Sequence, residues 1–110
     1  MGDIMEKEIQ ILVVEDDNDI NKLLCNIIRK SGYTAQSAYS GTEAMLYIKK
    51  REWDMVLLDL MLPGITGEEA LLRIREHSSV PVIIISAKGE AQTKVNSLRT
   101  GADDYITKPF

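Results

Sequence analysis

Short apolar runs along the chain alternate with segments that mix polar and apolar residues. Residues 9–14, 56–58 and 80–85 are almost continuously apolar, which is typical of strands covered on both faces of a parallel sheet. Residues 33–38 are more polar and predict a strand at an edge, and residues 105–107 predict a short last strand. The pattern therefore predicts five strands.

The segment after the first strand has the apolar spacing of a helix. Its predicted inward stripe consists of Ile20, Leu23, Leu24, Ile27 and Ile28. Asp17 or Asn18 can cap its start, and Gly32 stands where a glycine often follows a helix. Cys25 lies off this stripe, so we expect a small packing residue on the flank of the helix rather than a redox group.

Two later helices begin with the Ser/Thr-x-x-Glu pattern of a capping box. Residues 40–43 open one that continues to Lys50, and residues 66–69 open the other. The residues expected to face inward are Ala44 and Ile48 in the first of them and Ala70, Leu71 and Ile74 in the second. A weaker helix follows the fourth strand, with Val95 and Leu98 as its expected inward residues.

Two aromatic side chains are given structural roles. Trp53 precedes the central strand, and we expect it to pack at the strand entrance rather than bind a ligand. His77 lies at the end of the third helix, where an imidazolium would suit the helix dipole. Nothing near it in sequence would orient it for catalysis.

Strands and helices that alternate at this spacing predict right-handed βαβ units. The expected fold is α/β, with a doubly wound parallel sheet and helices on both faces. A chain of 110 residues forms one domain. We assign residues 1–8 to a polar leader and residues 9–110 to the domain.

Composition narrows the function classes. A hydrophobic content of 45% and a net charge of −4 give no reason to expect contact with nucleic acid or a membrane. DNA would matter only through an attached domain. The single cysteine excludes an internal disulfide or a cysteine metal cluster. Because a signal peptide and a long apolar span are absent, we expect a cytoplasmic location.

Polar side chains follow the strands at the edge where parallel sheets bind ligands. Glu15 and Asp16 follow the first strand, Asp59 ends the central one, and Ser86 and Lys108 follow the last two. Carboxylates about 4 Å apart repel by roughly 4 kcal/mol at an effective dielectric near 20, so three of them need a cation. Oxygen ligands favour Mg²⁺ or Mn²⁺ over zinc. The hydroxyl and the lysine would meet a phosphoryl group, which an aspartate can accept as an acyl phosphate.

Three motifs carry a resemblance to a known family: residues 11–17 (ILVVEDD), 57–64 (LLDLMLPG) and 101–110 (GADDYITKPF). Over residues 9–110 the chain resembles a receiver domain of bacterial two-component response regulators. The last motif is typical of the subfamily with a winged-helix DNA-binding output domain. The resemblance implies a flavodoxin-like strand order 2-1-3-4-5. It also implies a phosphorylation-activated signalling switch that assists its own phosphotransfer and autodephosphorylation, rather than an enzyme.

Carried over by position, the resemblance implies that Asp59 accepts a phosphoryl group from a sensor histidine kinase. Asp16 and Asp59 would bind Mg²⁺ directly, with the backbone carbonyl of Met61 as a third ligand. Glu15 would hold the ion through water. These roles make the acidic edge a metal-dependent phosphoacceptor site.

The resemblance also implies a switch. Ser86 and Lys108 would contact the transferred phosphoryl group, and Tyr105 would turn inward when Ser86 moves toward it. The bond between Lys108 and Pro109 is often cis in such domains. The signal would pass to an output domain that regulates transcription.

The chain departs from the family at a few positions. Receiver domains usually continue into a fifth helix, whereas this chain ends at Phe110. We therefore expect a shortened form whose exposed apolar surface promotes self-association, including a homodimer. Thr93 and Arg99 stand where the subfamily often has acidic residues of its dimer interface. Lys88 and Met61 flank the site, and the apolar Met61 predicts a long-lived acyl phosphate because it offers attacking water no hydrogen bond.

Three alternatives remain open. An aspartyl-phosphate phosphatase generally needs an acid two residues after the nucleophile, where this chain has Met61. A flavodoxin-like cofactor module would share the sheet order, but the acids of residues 15–17 would repel a phosphate without a metal. A receiver-like scaffold that is not phosphorylated is the third alternative, although every position of the site is filled.

Overall fold

The computed structural model describes residues 8–87 and 91–108, with only the backbone for residues 91–93. The predictions for residues 1–7, Lys88, the Thr93 side chain, Pro109 and Phe110 lie outside the described residues. Strands and helices alternate along the chain in the predicted way. The elements are β1 (Gln10–Val14), α1 (Asn18–Lys30), β2 (Thr34–Ala38), α2 (Gly41–Lys50), β3 (Met55–Asp59), α3 (Gly67–His77), β4 (Val82–Ser86), α4 (Ala91–Thr100) and β5 (Asp104–Thr107).

The five strands form one parallel sheet in the order β2-β1-β3-β4-β5. This confirms the predicted order and places β2 at an edge. From β1 the chain adds β2 on one side of the sheet and β3, β4 and β5 on the other, so the strand order reverses between β1 and β3. Val14 of β1 pairs with Leu58 of β3. The residues that follow this pair therefore stand side by side at the point where open α/β sheets bind ligands.

The sheet separates two apolar cores. On one face, Ile11 and Val13 of β1 pack with Leu24 and Ile28 of α1. On the other face, alternate residues of the same strand pack in the core that contains the inward residues of α2 and α3. Helices therefore cover both faces, as predicted, and the alternation along β1 is the two-residue period of a strand.

The predicted helix starts are confirmed. The Asp17 carboxylate caps α1 by accepting from the backbone N–H groups of residues 19 and 20, at 2.9 and 3.0 Å. Ser40 Oγ and Thr66 Oγ1 accept from the N–H groups of residues 43 and 69. Gly32 follows α1 with φ +92°, a conformation that glycine adopts at low cost. The five residues predicted to face inward in α2 and α3 are all buried.

The prediction for α1 is wrong in part. Leu23 and Ile27 are half exposed, at 49% and 50%, whereas Cys25 is buried at 1%. The buried stripe thus lies slightly further round the helix, and it includes Asn21. Cys25 is drawn inward because its thiol lies 3.3 Å from Asn21 Oδ1 and 3.2 Å from Ser37 Oγ. Its predicted packing role is confirmed, but its predicted place on the flank is not.

The prediction for α4 is also wrong. Val95 and Leu98 are both exposed, and Ser97 is the buried residue between them. The helix packs against α3 and β5, and the side that meets them carries the serine. Packing partners rather than the sparse apolar residues of this helix therefore set its orientation.

Trp53 packs as predicted. Its indole Nε1 donates to the Tyr47 carbonyl at 2.9 Å, and its ring lies in the core next to the entrance of β3. Strand β4 begins at Val82, two residues later than the apolar run suggests. Within the described residues, no helix is long and apolar enough to cross a membrane.

Candidate functional site

The C-terminal edge of the sheet collects the polar side chains expected there. Glu15 and Asp59 stand next to each other because the residues before them are paired across β1 and β3. Ser86 ends β4, and its carbonyl oxygen accepts from the backbone N–H of Lys108 at 2.8 Å. The lysine side chain turns back over this edge, so residues far apart in sequence share one site.

Three carboxylates form the centre of the site. Glu15 and Asp59 are almost fully buried, at 1% and 2% exposed, and Asp16 is exposed. One carboxylate oxygen from each lies within 4.8 Å of the others. Lys108 Nζ donates to Asp59 Oδ2 at 3.2 Å and to Glu15 Oε1. Among the residues that the structure describes, one ammonium group faces three acids in this cluster, which leaves a surplus of negative charge.

The crowding of these groups changes their protonation. Burial, together with a hydrogen bond shared with Asp59, raises the pKa of Glu15 from its ordinary 4.5 to about 7. Burial lowers the pKa of Lys108, but its hydrogen bonds to Glu15 and Asp59 outweigh this effect and raise that pKa above its ordinary value. Near neutral pH the cluster therefore keeps part of a proton that an incoming cation would displace.

The backbone around Asp59 is held tightly. Its Oδ1 atom accepts from the N–H of Met61 at 3.0 Å. Gly67, at the start of α3, lies so close that an added Cβ would be 2.6 Å from the Asp59 carbonyl oxygen and 2.3 Å from Leu60 Cα. Only glycine allows this approach. From the sequence, Gly67 was predicted only as part of a capping box, and its position after the Pro-Gly turn was the available signal.

An open cleft lies beside the cluster. It has a volume of about 450 Å³, and its walls include Asp16, Met61 and Thr66. The Met61 side chain is 54% exposed and stands at this opening. The cleft gives a molecule of moderate size room to approach the outer side of the carboxylates.

Ser86 and Tyr105 lie on neighbouring strands next to the site. Ser86 is fully buried at the end of β4. Tyr105 pairs with Ile84 of β4, and its ring is buried in the core that α2 and α3 cover. The ring is thus already turned in, and its role as a switch stays a prediction.

Asn21 is a further residue at this edge of the sheet, and the apolar pattern of α1 did not predict it. Its side chain is fully buried behind Glu15, where Nδ2 donates to three carbonyl oxygens at the ends of β1 and β2. The available signal was a polar residue one turn before Leu24 and Cys25, on the stripe that is buried.

The donor set fits a hard divalent cation. Every candidate ligand in the cluster is a carboxylate oxygen, and two of the carboxylates are fixed by the ends of a rigid sheet. Mg²⁺ prefers such ligands and commonly uses one or two carboxylates while keeping waters and phosphate oxygens. The residues present therefore fit Mg²⁺ or Mn²⁺.

Comparisons with known proteins agree on one family. Residues 11–110 match the response regulator receiver domain family. The chain is 43% identical over 101 residues to the regulatory protein VanRc of Enterococcus gallinarum and 41% identical over 103 residues to the transcriptional regulatory protein ResD of Bacillus subtilis. These alignments cover 92% and 94% of this chain but 44% and 43% of the relatives. The chain thus spans less than half the length of the curated relatives it matches.

The same family is found among solved structures. The receiver domain of the Francisella response regulator 1452 superimposes with a TM-score of 0.89 at 33% identity. The superposition covers 94% of this chain and 86% of that domain.

Proposed function

Because the chain belongs to the response regulator receiver domain family, we propose that it is a phosphorylation-activated switch whose phosphoacceptor is Asp59. The observation that carries this proposal is the pairing of a buried Asp59 with Lys108 inside a three-carboxylate cluster. A structural ion pair needs one acid for each cation. A second, divalent cation that binds there would account for the surplus of acids, and it would also offset the negative charge of an incoming phosphoryl group.

In the reaction, a carboxylate oxygen of Asp59 attacks the phosphorus atom of a donor. For a phosphohistidine of a sensor histidine kinase, an oxygen–phosphorus bond forms, the nitrogen–phosphorus bond breaks, and the imidazole leaves with its electron pair. The rigid end of β3 and the Met61 N–H orient the nucleophile. The cleft beside Asp16 and Met61 supports approach of the donor from that side.

Glu15, Asp16 and Asp59 are the side chains that would hold Mg²⁺, with the Met61 carbonyl as a further ligand. Bound Mg²⁺ supplies charge neutralisation for the carboxylates and for the phosphoryl oxygens. The Lys108 ammonium group, which lies 3.2 Å from Asp59 Oδ2, would contact the phosphoryl group, and the hydroxyl of Ser86 would contact it too. An ammonium and a hydroxyl stabilise the charge that spreads over the transferred group.

The signal would leave the site through β4 and β5. Ser86 and Lys108 are joined by a backbone hydrogen bond of 2.8 Å, and Tyr105 lies on β5, which ends one residue before Lys108. A shift of Ser86 toward the phosphoryl group therefore acts directly on the strand that carries Tyr105. Half-exposed Met61 supports slow autodephosphorylation, because its side chain offers attacking water no hydrogen bond.

The partners follow from this role. We include a sensor histidine kinase as donor and a DNA-binding output domain elsewhere in the full protein, since a relative is named a transcriptional regulatory protein. The proposed place of action is the cytoplasm.

Half-exposed Leu23 and Ile27 on α1 support self-association, including a homodimer. Light scattering of the Leu23→Gln variant, with Leu46→Gln on α2 as the exposed control, would show whether α1 carries it.

The test is incubation with acetyl phosphate, with and without Mg²⁺, followed by intact mass measurement. We expect one added phosphate that requires Mg²⁺ and disappears in Asp59→Asn. Asp54→Asn is the matched control, because Asp54 is a partly buried aspartate that precedes the same strand. Loss of the adduct in both variants, or its persistence in Asp59→Asn, would contradict the assignment of Asp59.

A further inference from the structure

Asn21 places an amide group in the buried layer between α1 and the sheet. The side chain is 0% exposed, and a buried amide is unfavourable unless its donors and acceptors are satisfied. Its hydrogen-bond partners therefore indicate what it is there to hold.

The nitrogen of this amide faces three backbone carbonyls. Nδ2 lies 3.0 Å from the Glu15 oxygen and 3.3 Å from those of Val13 and Ala38. These carbonyls lie at the ends of β1 and β2, where the last sheet bond runs from the Glu15 N–H to the Ala38 oxygen. Asn21 thus continues the bonding of the sheet at the point where the chain leaves β1.

The oxygen of the amide is held by two donors. Ser37 Oγ donates to Oδ1 at 2.6 Å, and the Cys25 thiol donates at 3.3 Å. A reversed amide would set its oxygen against three carbonyl oxygens, so only one orientation satisfies the group. The amide is therefore a fixed support behind Glu15.

We propose that Asn21 is a positioning residue for the cation site, which holds the loop between β1 and α1 so that the Glu15 and Asp16 carboxylates face Asp59. The amide bonds the Glu15 backbone on one side, while the Glu15 carboxylate meets Lys108 and the Asp17 N–H on the other. This inference rests on the proposed function, because it assigns the loop a cation to bind.

This role predicts which property of the site is lost when the amide is removed. Asp59 belongs to β3 and is held by Met61 N–H and by the approach of Gly67, so its own position does not depend on Asn21. The loop that carries Glu15 and Asp16 does depend on it. The affinity for Mg²⁺ should fall, while the phosphorylation rate at saturating Mg²⁺ should be largely kept.

The test compares Asn21→Ala with Ile28→Ala, a variant near the far end of the same helix in the same core. Mg²⁺ affinity is measured by calorimetry, stability by urea unfolding, and the rate of phosphorylation by acetyl phosphate as a function of Mg²⁺. For Asn21→Ala we expect the Mg²⁺ Kd to rise at least tenfold, as for other groups that orient metal ligands. The rate at saturating Mg²⁺ should stay within about twofold of wild type. Ile28→Ala should lose stability and keep the wild-type Kd.

An unchanged Kd in Asn21→Ala would overturn the proposal, as would an equal rise in Ile28→Ala. If Asn21→Ala does not fold, Ser37→Ala decides the question, because it removes the 2.6 Å bond that orients the amide. We expect a rise in Kd of about threefold there, for one lost hydrogen bond, and no rise would overturn the proposal. A wild-type protein that binds Mg²⁺ without being phosphorylated would refute the proposed function. In that case the Mg²⁺ Kd of Asn21→Ala, measured by calorimetry, would still test whether Asn21 positions the cation site.

Discussion

Two clusters of paired acidic and basic side chains lie at opposite ends of the sheet, and they differ in the ratio of acids to cations. At the C-terminal edge, Lys108 faces Glu15, Asp16 and Asp59. At the other end, Arg75 of α3 pairs with Asp103 at 2.8 Å. Counted over the described part of the chain, the first cluster has more acids than cations, and the second has one of each.

The Arg75 cluster has the bonding expected of a structural link. The guanidinium also donates to the carbonyls of Gly101 and Val80, and the Asp103 carboxylate accepts from the Val82 N–H at 2.8 Å. Each charge meets a partner that is already in place, and the link joins α3 to the start of β4 and the loop before β5. The Arg75 cluster therefore stabilises the fold as it stands, whereas the surplus of carboxylates at the other end indicates a site that binds a further cation.

The largest effect should come from the balanced cluster. We expect Arg75→Leu to lower the free energy of unfolding by about 3 kcal/mol, because it leaves two carbonyls and a carboxylate without a charged donor. Urea unfolding measures this. Arg73→Leu is the matched control, since the exposed Arg73–Glu69 pair on the same helix, at 3.6 Å, should contribute only about 0.3–0.5 kcal/mol. Equal losses in the two variants would erase the distinction between the clusters.

The surplus cluster should behave in the opposite way. The folded pKa of Glu15, about 7, lies above its ordinary 4.5, so its contribution to stability is present below about pH 4.5 and is lost as the pH rises through 7. Glu15→Gln does not titrate. We expect it to match wild type near pH 4 and to be more stable by about 2–3 kcal/mol at pH 8.

Unfolding of both proteins in urea across this pH range checks the prediction. The difference between the two curves isolates Glu15 from other titrating groups. A variant that is less stable than wild type at pH 8 would mean that Glu15 belongs to a balanced structural network, like Asp103.

Magnesium should give the smallest of the three effects. At a concentration ten times its Kd, we expect Mg²⁺ to raise the free energy of unfolding by about 1.4 kcal/mol. The increase should survive in Arg75→Leu and shrink in Asp16→Asn, whose exposed side chain is not needed for folding. Thermal unfolding with matched ionic strength measures it. Stabilisation that persists in Asp16→Asn would place the cation elsewhere.

Much of the fold was predictable because its local signals agree with its packing. The apolar runs of β1, β3 and β4 require burial on both faces, and the capping residues Ser40 and Thr66 begin helices where expected. The sheet order needed the family resemblance. Pairing of distant strands is decided by tertiary packing, which periodicity along the chain does not record.

The wrong predictions concern which side of a helix is buried, because that depends on the elements against which the helix packs. An apolar stripe predicts which side of a helix is buried only to within about one residue. In α1 the buried side includes Asn21 and Cys25, and the Asn21 amide oxygen accepts from the Cys25 thiol and the Ser37 hydroxyl. In α4 the apolar signal was weak, and Ser97 faces the core. These choices rest on side chains from other elements.

In the candidate site, too, some residues could be predicted from the sequence and others could not. Asp59 stood out because an ionised group at the end of an apolar strand needs a partner, and Lys108 is that partner in the structure. Gly67 and Asn21 support the site through backbone contacts. Such contacts leave no pattern that residue type alone reveals.

The most direct test of this account is to trap the phosphoryl group on its residue. After reaction with acetyl phosphate and Mg²⁺, hydroxylamine displaces phosphate from an acyl phosphate and leaves a hydroxamate on the carboxylate that carried it. We expect a single hydroxamate, at Asp59, by peptide mapping. A phosphate that resists hydroxylamine, or a hydroxamate at Asp16 or another acid, would contradict it.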